Sequence, residues 1–225
     1  MLANYPEMSS NTELKRSINV HLHEIREMNQ EFLRLLLHRE APEHDDVLGL
    51  HAGILAALRR LTADQQVAIA SVPMLLAEFS PLPGKADSTC VADAETSPFK
   101  VSELWQRELQ GYSDRLLTCL WQAARRETGM AAHCLGLDDR KRFRLKQMNF
   151  SSLSHCAQHA AASLQARLAQ HRDFWPDLIA SACSGDTVRQ TISQLSVIPL
   201  SFVGPNPQPV DRTPLKLQTA YRQLR

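Results

Sequence analysis

The sequence predicts an all-α chain of two tandem helical modules, each with a helix-turn-helix-like arrangement, closing on each other as an intramolecular pseudo-dimer. Three observations lead there. Gly numbers only 8 of 225 residues, and Val, Ile and aromatics are sparse beside Leu, Ala, Gln and Arg, a composition that favours helix over strand. Apolar residues recur at three- and four-residue spacing, the period of a helix with one buried face. The third observation is a pattern spelled twice. Leu48-Gly49-Leu50, Leu58, Leu61-Thr62, Gln66, Ile69-Ala70 and Phe79 return as Leu135-Gly136-Leu137, Leu145, Met148-Asn149, Leu153, Cys156-Ala157 and Ala166, each pair 87 positions apart. Upstream, Glu24-Ile25, Met28-Asn29, Phe32-Leu33 and Leu36 match Glu108-Leu109, Tyr112-Ser113, Leu116-Leu117 and Leu120 at a spacing of 84, which places a three-residue insertion in the second copy. Two copies are too few for a solenoid and indicate a duplicated unit.

Residues 1–80 form the first module, 81–98 a linker, 99–198 the second module and 199–225 a proline-rich tail. Asn11 or Thr12 caps a long helix reaching about residue 39, with Ile18, Leu22, Ile25, Met28, Phe32, Leu33, Leu35 and Leu36 as its stripe. Pro42 and the acidic run after it end that helix. A short helix follows over 50–60. Thr62 and Gln65 then make a capping box, S/T-x-x-Q, in which each side chain satisfies an orphan amide of the other. The helix they start runs to about residue 79, kinked or restarted at Pro73. Three prolines and a glycine mark 81–98 as linker. The second module has helices over 102–127, 130–134, 138–148 and 151–170, with Asp138 and Asn149 as N-caps. Helices over 174–183 and 187–195, separated by Gly185, lie beyond the repeat, and five prolines between 199 and 214 keep the tail extended before a short helix at 215–224.

A net charge of +1 supplies no global field toward nucleic acid or anionic membrane, so such binding must come from a local patch. Cys90, Cys119, Cys134, Cys156 and Cys183 are odd in number with no CxxC, the usage of a reduced cytoplasmic protein without a disulfide framework or zinc knuckle. Neither a signal peptide nor a membrane-spanning apolar run is expected. No nucleophile elbow, phosphate loop or catalytic carboxylate pair is spelled, so no enzyme activity, cofactor or metal is expected. His155 and His159 stand four apart, but without the glutamate of HExxH or a third ligand they read as structural.

The strongest chemical feature is Arg140-Lys141-Arg142-Phe143-Arg144-Leu145-Lys146, five cations in seven residues. Arg140, Lys141, Arg142, Arg144 and Lys146 are the candidate DNA contacts. Lysine and arginine neutralise phosphates, and arginine can read guanine edges. The first-copy counterparts of Lys141 and Arg142 are Ile54 and Leu55, so the second copy puts charge where the first has core candidates. A solvated helix face, or a patch for an acidic partner, is the competing reading. Arg59-Arg60 and Arg125-Arg126 are weaker pairs of the same kind.

The short helix behind Leu-Gly-aliphatic, the capped turn, the following helix and the long helix before them resemble the FlhD family, the smaller subunit of the bacterial flagellar master regulator. The likeness is clearest over 27–79, in Leu48-Gly49, Leu58, Leu61-Thr62, Gln65, Val67, Ala70, Leu75 and Phe79, and the second copy keeps Leu135-Gly136-Leu137, Leu145, Met148, Cys156 and Ala157. The resemblance implies a helical fold dimerising through its long helices, a zinc-bearing FlhC-like partner subunit, DNA, and promoter activation through RNA polymerase. A homo-oligomer is a further expectation. The family has one module where this chain has two, and Ala77 and Leu164 stand where it can carry an intersubunit cysteine. The regulated promoters would be flagellar or those of mobile-element or accessory genes. The alternative is a non-enzymatic helical interaction protein, such as a secretion-system accessory factor or chaperone.

Overall fold

A computed structural model describes residues 7–41, 46–82, 102–126, 130–186, 188 and 190–192, with side chains omitted at 7–21, 130 and 131. The element order is α1 (Glu7–Leu36), α2 (Ala52–Arg59), α3 (Ala63–Ala70), β1 (Ala77–Phe79), α4 (Glu103–Arg126), α5 (Met130–Cys134), α6 (Asp139–Gln147), α7 (Phe150–Ala160), β2 (Leu164–Ala166) and α8 (Phe174–Cys183). The fold is mostly helical with one small two-stranded sheet, which corrects the all-α expectation. No helix among the described residues is long and apolar enough to cross a membrane. The linker beyond Leu82, the tail and the 215–224 helix lie outside the described residues.

The sheet is antiparallel, with Ala77 opposite Ala166, Glu78 opposite Gln165 and Phe79 opposite Leu164. It replaces two stretches that the sequence assigns to helix. The first helix stops at Ala70, three residues before Pro73, because a proline in a helix interior removes a donor and clashes with the preceding turn. The second, expected over 151–170, passes from α7 through a 3-10 turn at Ala161–Ser163 into β2. Ser80 N–H donates to the Ser163 carbonyl at 2.8 Å, and Arg167 N–H to the Leu76 carbonyl at 2.7 Å, closing the ladder at both ends. Each strand supplies the partner that the other lacks. A three-residue strand is visible only once that partner is in place.

Local chemistry explains the helix starts. Thr62 accepts from Gln65 N–H while the Gln65 side chain accepts from Thr62 N–H, the reciprocal box expected there. Asp138 accepts from Lys141 N–H and Asn149 from Ser152 N–H. α1 already begins at Glu7, so Asn11 and Thr12 lie within it and are not its caps. The Leu-Gly pairs are turns. Leu48 and Gly49 both have positive φ (51° and 82°) between the paired Val47 and Leu50. Gly136 repeats that conformation at φ 75°. A side chain there would be strained and would also meet the Arg167 guanidinium at 3.3 Å.

α1 and α4 run antiparallel. Phe32 meets Tyr112 with ring centroids 5.7 Å apart, Arg115 pairs with Glu31 at 3.0 Å, and Trp105 Nε1 donates to the Leu35 carbonyl at 3.2 Å. α1 packs on α3, and α4 packs on both α6 and α7. α8 closes over α2 and α3. The buried residues form one hydrophobic cluster, from Ile25, Phe32 and Leu36 through Leu50, Leu58, Ile69 and Leu76 to Tyr112, Leu116, Leu145 and Trp175.

Candidate nucleic-acid interface

The basic run occupies α6, and its cations divide between two directions. Leu145 is buried against the core and fixes the helix rotation. Arg140, Arg144 and Lys146 are exposed. Lys141 is turned inward, with its side chain 17% exposed, and its Nζ lies 3.5 Å from the carboxylate of Glu78 on β1, itself 13% exposed. The other carboxylate oxygen of Glu78 accepts from Gln165 Nε2 at 3.3 Å. Arg142 is half-buried, and its Nε donates to the Ala124 carbonyl at 3.4 Å. Three of the five candidate residues therefore face solvent, while two serve the packing of α6. In the first copy, Ile54 is half-buried and Leu55 buried, so the charged replacements occupy a comparable inward position and keep contact with carbonyl and carboxylate oxygens.

Glu78→Gln should cost about 1–3 kcal/mol, because it leaves a largely buried ammonium donor without its carboxylate. Urea unfolding of the variant measures that cost. A change below about 0.5 kcal/mol would mean that Lys141 reaches solvent without the pair.

Two exposed aromatic rings that sequence reasoning passed over lie on α6 and at the start of α7. Phe143 is 63% exposed and Phe150 is 72% exposed. Phenylalanine in a helix ordinarily reads as core, but the cations on both sides of Phe143 are the signal that its face is outward. The corner between α6 and α7 is held by the Met148 carbonyl, which accepts from Trp121 Nε1 at 2.9 Å and Arg125 Nη2 at 3.1 Å. The Arg125 guanidinium lies 4.1 Å from the Trp121 ring centroid, a cation–π arrangement that keeps this half-buried indole covered.

The remaining features are simpler. Arg59 and Arg60 are exposed at the end of α2, whose other outward residues include Ala52, Gly53 and Ala56. His155 and His159 are both exposed, their rings 5.8 Å apart, and no group of three potential metal ligands occurs among the described residues. A groove of about 540 Å³ lies between α1 and α4, lined by Glu24, Glu27, Glu31 and Asp114 against Arg115 and Arg126. Cys119 also borders it, its thiol pushed up to about 11 by burial and by Glu24. It is thus a protonated packing group at neutral pH rather than a nucleophile. The chain matches no protein-family model, no curated protein and no solved structure.

Proposed function

We propose that the chain is a DNA-binding transcriptional regulator, an activator, made of two FlhD-like modules that form a pseudo-dimer within one polypeptide. The observation that carries the DNA contact is the outward face of α6, where Arg140, Arg144 and Lys146 stand free of the core. Three cations on one short helix can neutralise neighbouring phosphates without help from net charge. The two-module reading is supported by spacing. α2, α3 and β1 begin at Ala52, Ala63 and Ala77, while α6, α7 and β2 begin at Asp139, Phe150 and Leu164, the same 87-residue separation that relates Glu78 to Gln165. The bonds Ser80 to Ser163 and Arg167 to Leu76 also exchange into one another under that separation. With the FlhD-like reading come a zinc-bearing FlhC-like subunit for sequence recognition, RNA polymerase as the target, and flagellar or mobile-element promoters.

The test is the triple variant Arg140→Ala, Arg144→Ala, Lys146→Ala, titrated with duplex DNA at several salt concentrations. Electrostatic binding needs no partner subunit. Affinity at low salt should fall at least tenfold, and the slope of log affinity against log salt should flatten by roughly 0.9 per lost phosphate contact. Unchanged affinity and slope would remove α6 as the contact. The second reading, a helical interaction protein, draws on the charged groove between α1 and α4. A neighbouring gene with secretion-machine homology would favour it, whereas one with a four-cysteine zinc signature would favour regulation.

A further inference from the structure

We propose that the α6–α7 corner binds single-stranded DNA, with unpaired bases stacked on Phe143 and Phe150 and the backbone phosphates on Arg140, Arg144 and Lys146. This rests on the reading of α6 as a DNA contact and names the form of DNA it takes. The geometry is a strip. Arg140, Phe143, Arg144 and Gln147 are exposed at spacings of three and four on α6, which places them side by side on one face. Phe150, exposed at the first residue of α7, follows Gln147 across the two extended residues Met148 and Asn149 that separate the helices. One exposed ring therefore stands among the cations of α6, and a second opens the next helix.

Cations alone would suit duplex DNA, whose phosphates are outside and whose base faces are hidden in the stack. Exposed rings add nothing to that contact. They gain a partner when bases are unpaired, since every base has a flat face and stacking tolerates any sequence. The rings are also not required by the fold at these positions. The residues 87 earlier are Ala56 and Ala63, exposed as well, with no aromatic group. The second copy carries the rings and three outward cations on α6 together. The first has Ala52, Gly53 and Ala56 along α2, with Arg59 and Arg60 outward only where it ends. For a promoter-binding protein, this chemistry suits a segment where the strands have separated.

The experiment measures fluorescence anisotropy of a labelled oligothymidylate of about 16 nucleotides and of a duplex of equal length. Wild type, Phe143→Ala/Phe150→Ala, Phe143→Trp/Phe150→Trp and the triple cation variant are compared as full-length chains. Wild type should bind the single strand more tightly than the duplex. The double alanine variant should lose roughly tenfold per ring on the single strand and keep its duplex affinity, while the tryptophan variant binds at least as well as wild type. Equal single-strand affinity in wild type and the alanine variant would overturn stacking, and so would preference for the duplex. If the triple variant still loses affinity in that case, the DNA contact survives and only the stacking falls. If it binds as wild type does, the DNA reading falls as well. Binding of polyglutamate with neither nucleic acid held would assign the corner to an acidic polypeptide and overturn the proposal.

Discussion

Asn29→Leu is expected to destabilise the protein by about 3–5 kcal/mol, since it leaves several buried backbone groups without partners at nearly constant volume. Asn29 sits fully buried on α1. Its Nδ2 donates to the carbonyls of Ala70 at 3.2 Å and Met74 at 2.9 Å, and its Oδ1 accepts from Leu76 N–H at 2.8 Å. Those three groups belong to the segment that leaves α3 before Pro73 and enters β1, where no helix ladder can serve them. One amide thus stands in for a missing turn of helix. The residue at the matching place in α4 is Ser113, also buried, but its hydroxyl bonds only the Leu109 carbonyl of its own helix, at 2.7 Å. α7 runs on to Ala160 and then through the 3-10 turn, and the Ala157 carbonyl, the counterpart of that of Ala70, accepts instead from Gln110 Nε2 on α4, so Ser113 has no gap to fill. Ser113→Ala should accordingly cost no more than about 1 kcal/mol. Urea midpoints at constant m-value measure both variants. An Asn29→Leu loss below about 1 kcal/mol would show that the 70–76 segment finds other partners.

That contrast marks the boundary of what the sequence discloses. Caps are local, and Thr62 with Gln65, Asp138 and Asn149 all occupy the positions read for them. The apolar stripes are equally local: Phe32, Leu36, Tyr112, Leu116 and Leu117 are buried as their spacing predicts, whereas Leu22, read into the same stripe, is 40% exposed. The sheet is not local. Ala77–Phe79 and Leu164–Ala166 each alternate apolar, polar, apolar, but three residues are too few to separate a strand from a helical stretch, and the alanines at 157 and 160–162 favour helix just ahead of β2. Tertiary pairing overrides that propensity once the other strand is beside it. The candidate site was legible in the same partial way. The sequence displays five cations, but which of them point outward depends on Glu78 lying beneath α6, and Glu78 is 63 residues away. Phe143 and Phe150 were hidden by their residue type. Asn29 and Arg167, the latter buried with its guanidinium on the carbonyls of His133 and Cys134, look like surface residues in the sequence because their partners are distant.

Trp175→Ala should cost about 3–5 kcal/mol, the range for emptying a large buried aromatic site. Trp175 lies on α8, outside the repeated pattern, and a reading confined to the repeat would treat it as dispensable. It is fully buried, edge-on to Phe174 with centroids 5.6 Å apart, and its Nε1 donates to the Arg167 carbonyl at 3.1 Å, just past β2. The reason for this load is an asymmetry between the long helices. α1 ends at Leu36, whose counterpart is Leu120, whereas α4 continues to Arg126 and meets α6 along that extension through Arg142 and the Ala124 carbonyl. α2 has no such extension beside it, and α8 packs there with Phe174, Trp175, Leu178 and Ala182 inward. α8 therefore does for the first copy what the end of α4 does for the second. Trp175→Phe should lose about 1 kcal/mol beyond the cost of the volume it removes, the share of the indole hydrogen bond. Circular dichroism during urea unfolding follows both variants without relying on tryptophan emission. A Trp175→Ala chain within about 1 kcal/mol of wild type would mean that α2 and α3 hold their positions without α8. A loss of the expected size, in a total stability of roughly 5–15 kcal/mol, would make α8 a condition for α2 and α3 to hold their places.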